Sequence, residues 1–272
     1  MKVLSLFSGG GLGDYGLELA GMEIVGQVEI DEYCQKILKL RWPNVPKWKD
    51  IREFNWQGAG VDLISGGFPC QPFSVAGKRE GAKDERDLWH QMFRVICEVR
   101  PKWVLAENVP GLLSISSGRK FGEVVRDLAS VGYCVEWDCI PASAVGAPHR
   151  RDRVWIVANT RLKPKGTKSR RIDRQSVLGK MPVFGSSEGN RFADSGEVEN
   201  AEFNRLEEPR NRVLQGWPPD SATDSSWWTV EPNVGRVAHG VPSRVDRLKL
   251  LGNGQVVQVV EWIGKQILNY EN

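Results

Sequence analysis

The sequence predicts an α/β protein with a parallel, doubly wound sheet, and three observations lead to this prediction. Short apolar runs alternate with helix-like segments over residues 1–158, a pattern typical of sheets covered by helices on both faces. A glycine-rich turn joins the first predicted strand to the first predicted helix. Composition changes near residue 160, where a basic stretch poor in large apolar residues begins.

Each element is predicted from its local pattern. Runs of β-branched and aliphatic residues predict strands, and apolar residues three or four positions apart predict helices. The predicted strands are 3–7, 23–30, 63–64, 103–106, 133–140 and 154–158. Predicted helices run through 17–20, from 31 to about 40, through 121–128 and over 255–270. One face of the last helix is apolar, so we expect it to pack back on the first domain; its residues are Val256, Val259, Val260, Ile263 and Ile267.

The region after residue 160 has a different character. Residues 161–174 are densely basic, and residues 186–208 are acidic and polar. Neither stretch can bury much apolar surface, so we expect a loop-rich and partly disordered insertion. Order is expected to return near Trp227.

Composition limits the class of protein. The chain has 272 residues, 40% of them hydrophobic, and a net charge of +3, which permits an anionic partner. Its five cysteines form no C-x-x-C pair and its three histidines are scattered, so neither a disulfide framework nor a metal site is predicted. No apolar run approaches the roughly 20 residues of a membrane span, and the opening strand leaves no room for a signal peptide. We therefore expect a soluble, cytoplasmic protein.

Cys70 has the most informative surroundings in the chain. It lies between Pro69 and Pro72, directly after the apolar run 61–67. Open α/β sheets bind ligands beyond the carboxyl ends of their strands, and flanking prolines limit how far the sulfur can move. A lone cysteine of this kind is also compatible with a small buried apolar residue.

A second group of residues points to a cofactor. The glycine-rich turn 7–13 follows a strand and opens a helix, which allows the backbone to approach a ligand closely. Glu29 ends the second predicted strand, where a carboxylate can bind ribose hydroxyls, and Asp50 ends the next segment. Together they indicate an adenosine-containing cofactor, although each acid alone fits a solvated charge or a helix cap equally well.

Charged residues close two further strands. Glu107 ends the strand 103–106 and should lie beside Cys70, where partial burial would raise its pKa. Arg151 and Arg153 precede the last strand of the domain and suit a carboxylate or phosphate. A helix cap at Glu107 and a solvated arginine cluster are the alternatives.

These segments, in this order, resemble the C5-cytosine DNA methyltransferase family. The matching segments are FSGGGLG at 7–13, Glu29, Asp50, GGFPCQPFS at 66–74, ENV at 107–109, PHRRDRV at 148–154 and LGNGQ at 251–255. The chain departs from the common family pattern at Leu12, where glycine is frequent, and at His149, where glutamine is frequent.

The resemblance implies a fold, a domain layout and a cofactor. The fold is a Rossmann-like, doubly wound S-adenosylmethionine-dependent methyltransferase domain with a small, loop-rich target-recognition region. The implied layout is a catalytic and cofactor-binding domain at 1–158, a variable target-recognition region at 159–234 and a returning segment at 235–272. The implied cofactor-binding residues are Phe7, Ser8, Gly9, Gly11, Leu12, Glu29, Ile30, Asp50, Ile51, Gly67, Pro69, Asn253 and Gln255.

The resemblance also implies a mechanism and a substrate. Cys70 is the expected nucleophile towards C6 of a flipped-out cytosine, with Glu107 on its N3 and exocyclic amine. Arg153 is expected at O2 and Glu107, with Arg151 beside it. A mobile loop at 74–87 is expected to meet double-stranded DNA through Ser74, Lys78, Arg79 and Arg86. A monomer, no metal and a cognate restriction endonuclease complete the expectations.

Several alternatives differ in testable ways. The same chemistry on RNA predicts methyl transfer to RNA instead of DNA. A non-catalytic DNA-binding paralogue has no need of Cys70, Glu107 and both arginines together. A nicotinamide-dependent oxidoreductase is disfavoured because the turn lacks the G-x-G-x-x-G order. N-methylating DNA enzymes are disfavoured because 68–71 replaces their Pro-Pro-aromatic motif.

Overall fold

The computed structural model describes residues 1–69, 88–160 and 243–271. The strands are β1 (Lys2–Leu6), β2 (Glu23–Val28), β3 (Lys47–Trp48), β4 (Leu63–Gly66), β5 (Trp103–Asn108), β6 (Cys134–Ile140) and β7 (Arg153–Asn159). The α-helices are α1 (Leu12–Leu19), α2 (Glu32–Arg41), α3 (Trp89–Val99), α4 (Arg119–Ser130), α5 (Arg244–Asn253) and α6 (Val257–Glu271). The described residues also include 3₁₀ helices at Pro110–Leu113 and Ala142–Val145.

One seven-stranded sheet has the order β3-β2-β1-β4-β5-β7-β6. β1 pairs in parallel with β2 on one side and with β4 on the other. β3 and β5 extend the parallel region outwards from β2 and β4. The direction of strand order therefore reverses at β1, and sheets of this kind bind ligands beyond the carboxyl ends of the strands at such a point.

The prediction of a wholly parallel sheet is wrong at β7. It runs antiparallel to both β5 and β6. The connection from β6 to β7 holds one 3₁₀ helix among the described residues, whereas a parallel crossover is usually made through an α-helix. As a consequence, the first residues of β7 lie against the last residues of β5, with Val154 opposite Asn108. The amino end of β7 therefore lies at the same edge of the sheet as the carboxyl end of β5.

Both faces of the sheet are covered by helices, which confirms the doubly wound prediction. Alternate residues of β5 point to opposite faces, so Val104 belongs to one buried cluster while Trp103 and Leu105 belong to the other. The first cluster includes buried residues of α3 and α4, and the second includes those of α1 and α6.

The last helix packs back on the first domain, as its apolar face predicts. Val259, Val260 and Ile263 of α6 are fully buried in the second cluster. Two glycines allow α1 and α6 to approach closely: a Cβ at Gly16 would lie 2.6 Å from the carbonyl oxygen of Val257, and one at Gly264 would lie 2.8 Å from the Cβ of Ala20.

Among the described strands and α-helices, β3, α3 and α5 were not predicted from the sequence. The predicted return of order near Trp227 and the insertion at 161–208 lie outside the described residues. Within the described ranges, no helix is long and apolar enough to cross a membrane. Those same ranges hold no group of three or more metal-ligating side chains arranged for a metal ion.

Candidate active site at the carboxyl edge of the sheet

A cavity lies at the carboxyl ends of β1, β4 and β5. The turn after β1 and the segment after β4 form two walls, and the junction between α5 and α6 forms another. The lining residues that the sequence had predicted for a cofactor are Phe7, Ser8, Gly9, Gly67, Asn253 and Gln255. Glu107, which the sequence had predicted for catalysis, lines the same cavity.

The glycine-rich turn after β1 contains two glycines with left-handed backbone angles, Gly9 and Gly11. Gly11 has φ 80° and caps the start of α1, and a Cβ there would lie 2.4 Å from the Trp42 ring. The backbone N–H of Ser8 donates to the carbonyl oxygen of Val28 over 3.1 Å, which ties the turn to β2. A Cβ on Gly9 would meet no atom within 4 Å, so the backbone of the turn is open towards a ligand.

Glu29 supports this turn from the end of β2. Its two carboxylate oxygens accept from the backbone N–H groups of Gly9 and Asp31, each over 2.7 Å. Burial raises the pKa of Glu29, and these backbone hydrogen bonds oppose the rise. Because each carboxylate oxygen has two acceptor sites, Glu29 can hold the turn and still accept a hydroxyl group.

The other predicted residues at this end of the sheet have different surroundings. Asp50 is paired with Arg52 over 2.7 Å, and hydrogen bonds from that side chain lower the Asp50 pKa. Ile51 is buried in the first apolar cluster. Ile30, directly after Glu29, is 56% exposed and offers an apolar surface beside the turn. The structure thus brings Ile30 near the turn but does not bring Asp50 or Ile51 into the cavity lining.

Two further residues predicted for the cofactor, Leu12 and Pro69, do not line the cavity. Leu12 packs on the α5–α6 junction, because a Cβ at Gly254 would lie 2.3 Å from its Cδ1. Gln255, which does line the cavity, also fills the space beside Gly13, where a Cβ would lie 1.9 Å from its Oε1. Pro69 is exposed after β4.

A buried polar network below the turn was not predicted from the sequence. Asp14 accepts from Ser5 Oγ over 2.5 Å and from Gln27 Nε2 over 2.7 Å. Burial raises the Asp14 pKa to about 6. Ser5 also accepts from Ser8 Oγ over 2.8 Å, so the network joins β1, α1 and β2 under the cavity. No local pattern marks an aspartate on a helix as buried, which explains why sequence reasoning missed it.

Glu107 and Arg153 form a buried ion pair beside the cavity. Arg153 Nε lies 2.9 Å from Glu107 Oε1, and the glutamate residue is 8% exposed. Burial raises the pKa of Glu107 to about 7, against the opposing charges of Arg153 and Arg151. A Cβ at Gly67 would lie 2.8 Å from Oε2, so the segment after β4 runs directly past this carboxyl group.

Asn108 fixes the chain just before the predicted nucleophile. Its Nδ2 donates to the carbonyl oxygen of Phe68 over 2.9 Å, and the Phe68 ring packs on Trp89 with centroids 5.1 Å apart. The sequence identified Asn108 as part of a motif but assigned it no role. Cys70 and the predicted DNA-contacting residues Ser74, Lys78, Arg79 and Arg86 lie outside the described residues.

Arg151 has partners different from those of Arg153. Its Nη2 donates to the carbonyl oxygens of Gly252 and Gly254, each over 2.6 Å. The charge of Arg151 still lowers the Glu107 pKa. The two arginines therefore have different partners: Arg153 pairs with the buried carboxylate, and Arg151 donates to the junction between α5 and α6.

Comparison with known proteins agrees with this architecture. The family model described as C-5 cytosine-specific DNA methylase matches residues 1–217. Type II methyltransferase M.NgoMIV of Neisseria gonorrhoeae is 38% identical over 160 residues, which cover 57% of this chain and 50% of the relative. Type II methyltransferase M.Eco47II of Escherichia coli is 38% identical over 164 residues, which cover 57% of this chain and 39% of the relative. The matched segments thus span half or less of these two curated relatives.

Solved structures share the fold. A candidate DNA modification methyltransferase from an Escherichia coli prophage is 28% identical with a TM-score of 0.51, over 58% of this chain and 46% of that one. The Dnmt2 methyltransferase of S. pombe is 20% identical with a TM-score of 0.61, over 100% of this chain and 99% of that one. The second likeness concerns the fold alone.

Proposed function

Because the chain belongs to the C-5 cytosine-specific DNA methylase family, we propose that it is a DNA (cytosine-5)-methyltransferase with S-adenosylmethionine as methyl donor. The observation that supports this most is the buried Glu107–Arg153 pair. It lies on the cavity and directly against Gly67, three residues before Cys70. When bound, S-adenosylmethionine supplies an electrophilic methyl group.

The residues of the cavity fit such a cofactor. Ser8, Gly9 and Gly67 contribute backbone to its walls, and Asn253 and Gln255 add amide groups that can both donate and accept hydrogen bonds. Glu29 can accept ribose hydroxyls while it holds the turn. The exposed side chain of Ile30 offers an apolar surface for a base. Asp50 would need to share its carboxylate between Arg52 and an adenine amino group.

Glu107 would act on the target base. Arg153 Nε lies 2.9 Å from Oε1, and Oε2 faces the chain at Gly67. A carboxyl group with a pKa of about 7 is present in both protonation states near neutrality. Glu107 can therefore share a proton with cytosine N3 and accept from the exocyclic amine, while Arg153 fixes its orientation.

Cys70 would supply the electrons. Its thiolate adds to C6, which makes C5 nucleophilic enough to take the methyl group, and loss of the C5 proton then expels the sulfur. Since a free thiol is only a few per cent ionised at pH 7, the positive charge of Arg153 would favour the thiolate. C6 is covered by stacking in a duplex, so the cytosine must leave the helix at a cost of a few kcal/mol.

We propose double-stranded DNA as the substrate. Residues 74–87 would close over the flipped base, with Ser74, Lys78, Arg79 and Arg86 on the backbone, and residues 159–234 would read the sequence. Contacts of this kind make affinity fall steeply with salt. The names of the curated relatives favour a cognate restriction endonuclease as a partner of the system.

Labelled methyl transfer tests the proposal. The purified chain is incubated with S-adenosylmethionine and either genomic DNA or total RNA, and the modified nucleoside is identified after digestion. We expect 5-methylcytosine in DNA, none in RNA, and loss of product by several orders of magnitude with Cys70→Ser. Label in RNA alone, or a methyl group on a nitrogen atom, would contradict the proposal. Bisulfite sequencing of DNA from expressing cells then gives the sequence context.

A further inference from the structure

The two arginines of the 148–154 segment differ in a way that their spacing does not predict. In an extended strand, residues two positions apart share a face, so Arg151 and Arg153 would be expected to address the same group. Arg151 instead has φ 42°, a left-handed backbone that non-glycine residues adopt only when the surrounding structure holds them there. Arg153 turns to Glu107, and Arg151 turns to the α5–α6 junction.

The contacts of Arg151 bracket one residue. A single nitrogen, Nη2, donates to the carbonyl oxygens of Gly252 and Gly254 over 2.6 Å each, so the residue between them is Asn253. Asn253 ends α5, where the last carbonyl groups of a helix lack partners within the helix. Hydrogen bonds from a charged donor are stronger than those from neutral groups, and here they satisfy carbonyl groups at that helix end.

The bracketed segment forms one wall of the cavity. Asn253, Gly254 and Gln255 all line it, and Gln255 spans from Gly13 towards Gly67, where a Cβ would lie 3.6 Å from its Nε2. α5 has no buried residue; besides Arg151, its described contacts include the ion pair of Lys249 with Asp31 over 2.7 Å and the packing of Leu12 at Gly254.

The geometry points to Arg151 as a positioning residue for the methyl-donor side of the site, acting through the carbonyl oxygens of Gly252 and Gly254, and not as a group that contacts the target base. This inference rests on the proposed function. It divides the arginine pair into two tasks: Arg153 orients the carboxyl group that meets the cytosine, and Arg151 fixes the wall that presents Asn253 and Gln255 to the cofactor.

The test compares Arg151→Gln with Arg150→Gln. Arg150 is the adjacent arginine with an 83% exposed side chain that faces Asp152, so its replacement controls for lost charge in the same segment. Isothermal titration with S-adenosylhomocysteine gives the cofactor-product Kd, and steady-state kinetics give kcat and the KM for S-adenosylmethionine. We expect Arg151→Gln to raise Kd and KM about tenfold or more while kcat at saturating cofactor falls by less than about threefold. Arg150→Gln should match the wild type.

Arg151→Lys keeps the charge near Glu107, but its nitrogen is one bond closer to Cα and should not reach both carbonyl oxygens. It should show the same rise in Kd with an unchanged pH profile of kcat, and it replaces Arg151→Gln if circular dichroism shows that variant unfolded. A wild-type Kd in the folded variants, with kcat reduced more than a hundredfold, would overturn the inference and place Arg151 at the base. A wild-type protein that neither binds S-adenosylhomocysteine nor transfers methyl groups would instead overturn the proposed function.

Discussion

Glu29 and Glu107 are two buried glutamates near the carboxyl ends of parallel strands of one sheet, and their partners differ. Glu29 is 9% exposed and Glu107 is 8% exposed. Burial raises the pKa of both. The carboxylate of Glu29 accepts from two backbone N–H groups, whereas that of Glu107 pairs with one arginine side chain through one oxygen.

The different partners of Glu29 and Glu107 suit the two carboxyl groups to different roles. Backbone amides are uncharged donors fixed by the fold, so a carboxylate that binds two of them holds a turn in place and is poorly suited to changing its protonation state. A carboxyl group paired on one side only, with its other oxygen towards a cavity, keeps the capacity to exchange a proton. Under the proposed function, the half of the site assigned to the cofactor is built from backbone geometry, and the half assigned to the target base from titratable side chains.

The largest expected effect follows from Glu107→Gln, which keeps the shape of the side chain but cannot share a proton. Loss of a general acid or base typically costs about a hundredfold to ten-thousandfold in rate, so kcat should fall within that range. The Kd for S-adenosylhomocysteine and for DNA should change little, since neither depends on proton exchange at this position. Single-turnover methyl transfer and titration calorimetry measure the two quantities. A variant with normal kcat, or with a large loss of DNA affinity, would contradict the role assigned to Glu107.

Glu29→Gln should show the reverse pattern with a smaller effect. The amide nitrogen of glutamine would face the backbone N–H of Gly9 or Asp31, so one buried donor loses its acceptor at a cost of about 1–3 kcal/mol. We expect lower stability in urea denaturation and a higher Kd for S-adenosylhomocysteine, with kcat at saturating cofactor largely retained. The comparison between the two glutamates breaks down if Glu29→Gln reduces kcat while cofactor affinity and stability stay normal.

A further effect of Glu107→Gln concerns stability as a function of pH. The pKa of Glu107 rises from an ordinary 4.5 to about 7 in the folded protein, so its contribution to stability is fully present below 4.5 and is lost as the pH rises through about 7. Glu107→Gln lacks this loss, and its free energy of unfolding relative to wild type should increase between pH 5 and pH 8, by on the order of 3 kcal/mol at most. Urea denaturation at both pH values, with the exposed Glu53→Gln as control, measures the change; a difference independent of pH would argue against a raised pKa.

Sequence patterns predicted most of the sheet and the residues at its ligand-binding edge. Apolar runs and the glycine turn are local signals, so β1, β2, α1 and the returning helix α6 could be identified directly. The direction of β7 could not, because strand polarity depends on which neighbour it pairs with and not on its own residues. That polarity places Arg153 beside Glu107, a pairing that the family resemblance implied but that the local residue pattern alone did not.

The partners of the site residues also could not be predicted from the sequence. Asp50 and Arg52 are two positions apart, yet nothing in the sequence shows that the carboxylate is paired with that arginine. The backbone donors to Glu29 come from a turn 20 residues earlier and from the next segment. Arg151 and Arg153 have different partners, and Arg151 has a left-handed backbone angle that the sequence does not indicate. Such contacts arise from tertiary packing, which local patterns do not specify.

A covalent trap at the base that Glu107 and Arg153 would hold tests most directly whether Cys70 is the nucleophile. An oligonucleotide that contains 5-fluorocytosine in the context found by bisulfite sequencing is incubated with the protein and S-adenosylmethionine, then analysed by denaturing electrophoresis and peptide mass spectrometry. We expect a stable protein–DNA adduct at Cys70, absent with Cys70→Ser and formed far more slowly with Glu107→Gln. Efficient methylation of ordinary DNA without any adduct, or an adduct on another residue, would contradict it.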